Sequence, residues 1–200
     1  MKEKIISEKI KISNNGDGMN DALNLTERIA EMMSLKKKEK FYARLLAEEM
    51  FSMVRAIAEN FNADFWLEIE GNNCTYHLLA NSELDYEKRK EFISVSTKNK
   101  NSARLGIMEK IREIVEAGVY GLAEGLEAQN EYGGAMMTYG TLGMDGMYLW
   151  SMQQYKDSIK KGEDSEDWDE LEKSIIANIA DEVQVGVRKN NVELTILKKF

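Results

Sequence analysis

The sequence predicts an α+β fold, a two-layer α/β sandwich in which helices cover one face of a mixed, mostly antiparallel sheet. Two pairs of short segments alternate apolar and polar residues around a tight turn, which is typical of β-hairpins. Longer segments before and between these pairs carry apolar residues at helical spacing. Hairpins with helices grouped between them favour a sheet that is covered by helices on one side.

The first elements are predicted to be a strand and a helix. Residues 6–12 alternate isoleucine with charge, which is typical of a half-buried strand, and the polar run 13–18 predicts a turn. Asn20 or Asp21 is then expected to cap a helix that extends to about Ser34. The predicted inner side of this helix consists of Leu23, Ile29, Ala30 and Met33.

Residues 40–59 predict the longest helix. A narrow second stripe on this helix places Glu48 and Ser52 one turn apart, on the same side as Phe41 and Leu45. A carboxylate in such a stripe needs a partner, a bound ion or water. It is either a general base or Mg²⁺-anchoring acid beside a nucleotide, or a rim glutamate paired with Arg44 or Arg55. The broad apolar face consists of Tyr42, Leu46, Met50, Met53 and Ile57.

Two hairpins are predicted, over residues 65–79 and 182–197, with turns at 71–73 and 189–191. In the first hairpin, His77 is expected to be a partly exposed strand residue and Cys74 a small strand residue. Helices are predicted over 85–95, over 103–116, and from about Ser165 to Ala180. The polar loop 96–102 is either an anion cradle or an ordinary helix start that Ser102 caps.

Residues 133–152 combine glycine and methionine with aromatic residues, which favours a mobile lid, a partner-binding surface or an irregular packed connection. The net charge of −8 and the pI of about 5.0 argue against a nucleic-acid-binding protein. One cysteine and one histidine argue against a disulfide framework, a cysteine or histidine metal cluster and covalent catalysis. Without a signal peptide or membrane-spanning run, we expect a cytoplasmic chain that forms one domain over 1–200, with an insertion at about 117–165.

Two segments resemble the histidine-kinase-like ATPase family, which includes gyrase, sensor histidine kinases and anti-sigma-factor serine kinases. Residues 45–54, LLAEEMFSMV, resemble its N-box helix, and residues 175–185 with 191–199 resemble its last helix and closing hairpin. The chain is also similar to a group of ATP-binding proteins of anaerobic gut bacteria, through RLLAEEM at 44–50 and the pattern KNxxxxGxMxKIR at 100–112.

The resemblance implies a bound ATP with Mg²⁺. Glu48 falls on the acid that activates water or the attacking hydroxyl, and Ser52 replaces the asparagine that holds Mg²⁺. Asn81 and Asp85 lie where the family's first glycine box recognises adenine, although both of its glycines are absent. The candidate phosphate-binding residues, in place of the second glycine box, are Lys98, Asn99, Lys100, Ser102 and Gly106.

The implied function is a nucleotide-binding regulator that resembles an anti-sigma-factor kinase and acts on a protein partner such as a transcription regulator. The alternative is a non-catalytic protein-interaction module on the same fold, with contacts through residues 133–152 and the acidic run 163–172. Neither hypothesis includes a nucleic acid or a membrane as partner.

Overall fold

The computed structural model describes residues 4–57, 60–82, 140–142, 148–161, 174–188 and 191–200. These residues form an eight-stranded sheet with four helices, which confirms an α+β architecture. The strands are β1 (Lys4–Ile6), β2 (Ile10–Ser13), β3 (Phe61–Glu70), β4 (Asn73–Ser82), β5 (Gly140–Leu142), β6 (Tyr148–Ser151), β7 (Glu182–Arg188) and β8 (Asn191–Lys199). The helices are α1 (Met19–Met32), α2 (Lys37–Ile57), α3 (Met152–Lys161) and α4 (Ile175–Ile179).

The sheet has the strand order β1-β3-β4-β8-β7-β6-β5, and β2 pairs with β3 along the same edge as β1. All seven pairings among the described strands are antiparallel, so the prediction of a mixed sheet is wrong for this part of the chain.

One face of the sheet is apolar and lies under the helices. Along β3, β4 and β8, every second residue is buried, and the register aligns these residues across the sheet. Such alignment packs cross-strand neighbours into one layer of the core. The central row consists of Ile10, Phe65, Leu78, Leu194, Val185 and Trp150.

The helices lie side by side over this apolar face. Helix α1 contacts β2 and β3, whereas α2 contacts β4 and β8. Helix α4 contacts α2 and leads directly into β7, so α2 has α1 on one side and α4 on the other. The predicted apolar face of α2 is confirmed for Leu46, Met50 and Met53, which are buried. No helix within the described ranges is both long enough and apolar enough to cross a membrane.

The N-terminal strand is broken where the sequence predicted a continuous one. Between β1 and β2, the Ser7 amide donates to the Leu67 carbonyl, and the Leu67 amide donates to Ser7 Oγ, each at 2.9 Å. Ser7 thus forms hydrogen bonds with the β3 backbone at the point where β1 ends. The predicted cap of α1 is also wrong, because Gly18 is the N-cap residue, and Asn20 and Asp21 lie inside the helix.

The two central elements are longer than predicted. Helix α2 begins at Lys37, where the preceding Lys36 amide donates to Glu39 Oε2 at 2.7 Å. Strand β3 begins at Phe61, four residues before the predicted start of the first hairpin at residue 65. The first turn is confirmed at Gly71, whose φ of 64° favours glycine. The second hairpin, β7 and β8, is also confirmed.

Three elements near the second hairpin were not predicted: β5, β6 and α3. The described part of segment 133–152 therefore contributes strands to the sheet. Two of its side chains, Trp150 and Met152, are fully buried. Helix α4, at the end of the predicted helix Ser165–Ala180, begins at Ile175, where the Ala177 amide donates to the Ser174 hydroxyl. Residues 165–173 of that prediction lie outside the described residues. The predicted helices 85–95 and 103–116, the loop 96–102 and the acidic run 163–172 lie outside the described residues.

Candidate functional site

Glu48 lies on the outer rim of α2. Its side chain is 42% exposed, and Arg44 Nε donates to its Oε1 at 2.9 Å. Arg44 also bonds Glu27 on α1, so the guanidinium links the two helices. This is the rim ion pair that the sequence left open as an alternative. The stripe shared with Phe41 faces outward, since that phenylalanine is 61% exposed.

Ser52 lies on the same side of α2 as Glu48, as the spacing predicted. Its hydroxyl is exposed and donates to the Glu48 carbonyl at 3.1 Å, a bond within the helix backbone. The Ser52 hydroxyl proton is therefore engaged within the helix, and Arg44 engages one of the two Glu48 carboxylate oxygens. The described ranges contain no group of three or more His, Cys, Asp or Glu side chains placed to hold a metal ion.

Asn81 lies on the face of the sheet that the helices do not cover. Its neighbour Ala80 points into the core, whereas Asn81 is exposed on the outer face of the sheet. There its Nδ2 donates to Asn191 Oδ1 at 2.9 Å. Because α2 covers the other face, the structure does not bring Glu48 and Asn81 together. The remaining predicted site residues, Asp85, Lys98, Asn99, Lys100, Ser102 and Gly106, lie outside the described residues.

Glu49, which the sequence analysis did not select, occupies a different side of α2. Arg44 contacts α1 through Glu27, and Arg55 contacts α1 through Met19. Glu49 follows Arg44 by five residues, which rotates it by about 140° around the helix. It therefore lies away from α1, on the side where α4 contacts α2. We call this side the α2 flank; its half-buried side chains are Tyr42, Leu45 and Glu49.

The Glu49 carboxyl is electrostatically unlike that of Glu48. It forms no hydrogen bond or ion pair with any residue of the described ranges. Partial burial raises its pKa, and the adjacent Glu48 carboxylate raises it further. A carboxylate in this setting gains free energy from a cation that replaces the lost hydration. Within the part of the chain that the structure describes, the α2 flank therefore offers a carboxylate without a protein partner, whereas Glu48 on the rim is paired with Arg44.

The sequence did contain a signal for this flank. Tyr42, Leu45 and Glu49 recur at steps of three and four, the same spacing that marked the stripe through Glu48. Both stripes border the broad apolar face or the solvent side of α2, and periodicity alone does not show where the neighbouring helices pack. Only the positions of α1 and α4 distinguish the two acids.

Replacing Glu49 with glutamine is expected to stabilise the fold at pH 7. The folded-state pKa of Glu49 is raised, so its contribution to stability is largest below the ordinary glutamate pKa and is lost as pH rises. The free energy of unfolding of Glu49→Gln, minus that of wild type, should therefore increase as the pH rises from about 4 to about 7. Urea unfolding at both pH values measures this. The matched control, Glu48→Gln, loses the Arg44 ion pair and should show no such gain.

No known protein-family model, curated protein or solved structure matches this chain.

Proposed function

We propose that this chain is a nucleotide-binding regulatory protein that resembles an anti-sigma-factor kinase of the histidine-kinase-like ATPase family. ATP is the proposed ligand, with Mg²⁺ as its counter-ion, and a protein such as a transcription regulator is the proposed partner. The observation that supports the proposal best is Glu49, a half-buried carboxyl without a protein partner among the described residues, on a helix that resembles the family's N-box.

The chemistry of Mg²⁺ favours such a carboxylate. Mg²⁺ bound with a nucleotide commonly takes one or two protein carboxylates together with phosphate oxygens and water. A bound cation would replace the hydration that the Glu49 carboxylate loses through burial. The unfavourable desolvation of Glu49 therefore adds to its affinity for Mg²⁺. Glu48 would then keep its ion pair with Arg44 and hold α2 against α1. The proposal thus moves the metal-binding acid by one residue from the position that the resemblance implied.

The other proposed contacts come from the resemblance. Lys98 and Lys100 would neutralise phosphate charge, Ser102 would donate a hydrogen bond, and Gly106 would allow a close approach of the backbone. Asp85 would recognise the adenine amino group, because an acid accepts hydrogen bonds from it. Asn81 has a smaller role in this proposal, since its amide already bonds Asn191 on the outer face of the sheet.

Isothermal titration calorimetry with ATP and Mg²⁺ tests the proposal on three proteins: wild type, Glu49→Gln and Glu48→Gln. We expect wild type to bind, and Glu49→Gln to weaken Mg²⁺-dependent affinity about tenfold or more, because a charged metal ligand is lost. Glu48→Gln should change affinity less than about threefold. The two variants carry the same chemical change on adjacent residues, so each is a control for the other.

The outcomes separate the two acids and the function itself. A larger loss in Glu48→Gln than in Glu49→Gln would return the metal-binding role to Glu48. Absence of heat and of a thermal shift for folded wild type at millimolar ATP and Mg²⁺ would overturn nucleotide binding. Titration with Mg²⁺ alone and with ATP in the presence of a chelator distinguishes a metal site from a nucleotide site.

A second candidate function is a non-catalytic protein-interaction module. The observation in its favour is that Glu48 and Ser52 bond other protein groups, and that Asn81 lies on the opposite face of the sheet. In addition, Phe41 on α2 and Ile175 on α4 are large apolar side chains that are exposed by 61% and 49%. A folded wild-type protein that ignores ATP would support this function over the first.

A further inference from the structure

A compact group of charged and aromatic side chains lies on the outer face of the sheet, remote from the α2 flank. The His77 ring on β4 stacks on the Trp66 indole on β3, with centroids 4.8 Å apart and planes 6° from parallel. The His77 side chain is only 15% exposed. Neither of its ring nitrogens has a hydrogen-bond partner among the described residues. Both nitrogens are buried, and two buried nitrogens without a partner in the described part of the chain are unusual, since buried polar atoms are normally hydrogen-bonded.

A single carboxylate oxygen lies between this imidazole and the edge strand. Glu68 Oε2 is 3.6 Å from His77 Nε2 and 2.7 Å from Lys4 Nζ. Lys4 belongs to β1, the short strand at the edge of the sheet. All three β1 residues are exposed, so few buried contacts hold this strand on β3. The ladder of backbone hydrogen bonds holds β1 on β3, and the ion pair with Glu68 adds a side-chain contact to it.

We propose that His77 is a proton-operated switch for the edge strand: once protonated, its imidazolium takes the Glu68 carboxylate from Lys4 and loosens β1. In the neutral form, His77 competes weakly for Glu68, and Lys4 keeps the carboxylate. When His77 is charged, His77 and Lys4 compete for the same oxygen of Glu68. The more buried of the two cations loses more free energy without this contact.

Burial decides which cation loses the contact. The Lys4 side chain is 55% exposed, so its ammonium can turn into water at little cost. The His77 imidazolium cannot turn into water as easily, because it is stacked on Trp66 and its side chain is only 15% exposed. A buried charge without a partner is costly, whereas an exposed one is hydrated. Protonation of His77 therefore transfers the Glu68 carboxylate from Lys4 on the edge strand to His77 on β4.

The charges around His77 come from four places. On β3, Glu68 raises the pKa of His77; on β8, Glu193 also raises it; and on β1, Lys4 lowers it. Lys9, between β1 and β2, lies 4.4 Å from the centroid of the Trp66 ring. Burial is the largest effect and lowers the pKa of His77. The switch is thus expected to operate on mild acidification, below the ordinary histidine pKa.

His77 is the only histidine in the chain, so its ring resonances in an NMR titration require no assignment. Backbone amide exchange of β1, expressed as protection factors to remove the intrinsic pH dependence, measures the strand. We expect β1 protection to fall about two- to fivefold as His77 protonates, as for the loss of one partly exposed ion pair. Amides of β8 should not change. Indole fluorescence, compared with Trp66→Phe, should report the charged imidazole stacked on Trp66.

Two variants provide the controls. His77→Gln should remove the pH dependence of β1 protection, and Lys4→Gln should give low protection at every pH and raise the His77 titration midpoint. The proposal is overturned if wild-type β1 protection is unchanged while His77 titrates, or if β1 loosens equally in His77→Gln. The wild-type measurement alone decides the matter should either variant fail to fold.

Discussion

Phe65→Ala is expected to lower the free energy of unfolding by about 3–5 kcal/mol, the usual cost of removing a buried phenylalanine ring. Phe65 is fully buried at the centre of β3, in the row of apolar residues that crosses the sheet. Its ring packs edge-on against Phe51 of α2, with centroids 5.3 Å apart. The substitution therefore leaves a cavity where the helix layer meets the sheet. Urea unfolding followed by circular dichroism at pH 7 measures the loss.

The matched control is Phe41→Ala, the same chemical change on the exposed side of α2. Phe41 is 61% exposed, and its removal should change the free energy of unfolding by less than about 0.5 kcal/mol. Similar losses in both variants would mean that Phe41 is covered in solution, for example by a partner or a second copy of the chain. That result would support the interaction-module function.

Gly18→Ala is expected to cost at least about 2 kcal/mol, because two penalties act at one position. The φ of Gly18 is +71°, a left-handed conformation that strains alanine. An added Cβ would also lie 1.9 Å from the Lys11 carbonyl oxygen of β2, so the start of α1 would have to move away from the strand. The same unfolding experiment measures this loss.

Gly16→Ala separates the two penalties. Gly16 also has a positive φ, +95°, but an added Cβ would meet only the flexible end of Arg55, at 3.8 Å. Its cost should be limited to the backbone term of about 1 kcal/mol. A loss in Gly16→Ala as large as that in Gly18→Ala would show that the contact with the Lys11 carbonyl is not what constrains this turn.

These losses affect the candidate site indirectly. Gly18 sets the position from which α1 starts, and α1 carries Glu27, the second partner of Arg44. If α1 shifted, Arg44 would lose a contact, and the Glu48 carboxylate would be held less firmly on the rim. Nucleotide affinity should depend on Glu49 rather than on this network. Measuring ATP binding in a folded Gly18 variant therefore adds an independent check on the proposed assignment of the metal-binding role to Glu49.

The amino-acid sequence by itself determined the elements whose pattern is local. The two hairpins follow from alternation around turn residues, and Gly71 supplies the positive φ that the first turn requires. The buried side of α2 follows from the helical spacing of its apolar residues. These features need only neighbouring residues, so a linear pattern is sufficient to predict them. The family resemblance and the nucleotide remain predictions, which the titration above tests.

Tertiary structure alone decided which polar groups meet. Glu48 and Glu49 are adjacent in the chain, yet Arg44 and the position of α1 pair the first and leave the second on the α2 flank. Asn81 faces away from α2 because strand register sets its side of the sheet. Trp150 enters the core because β6 pairs with β7, although its surroundings in sequence are rich in glycine and methionine. The physical reason is common to all three: packing and register join residues that are distant in sequence, and local periodicity carries no information on that.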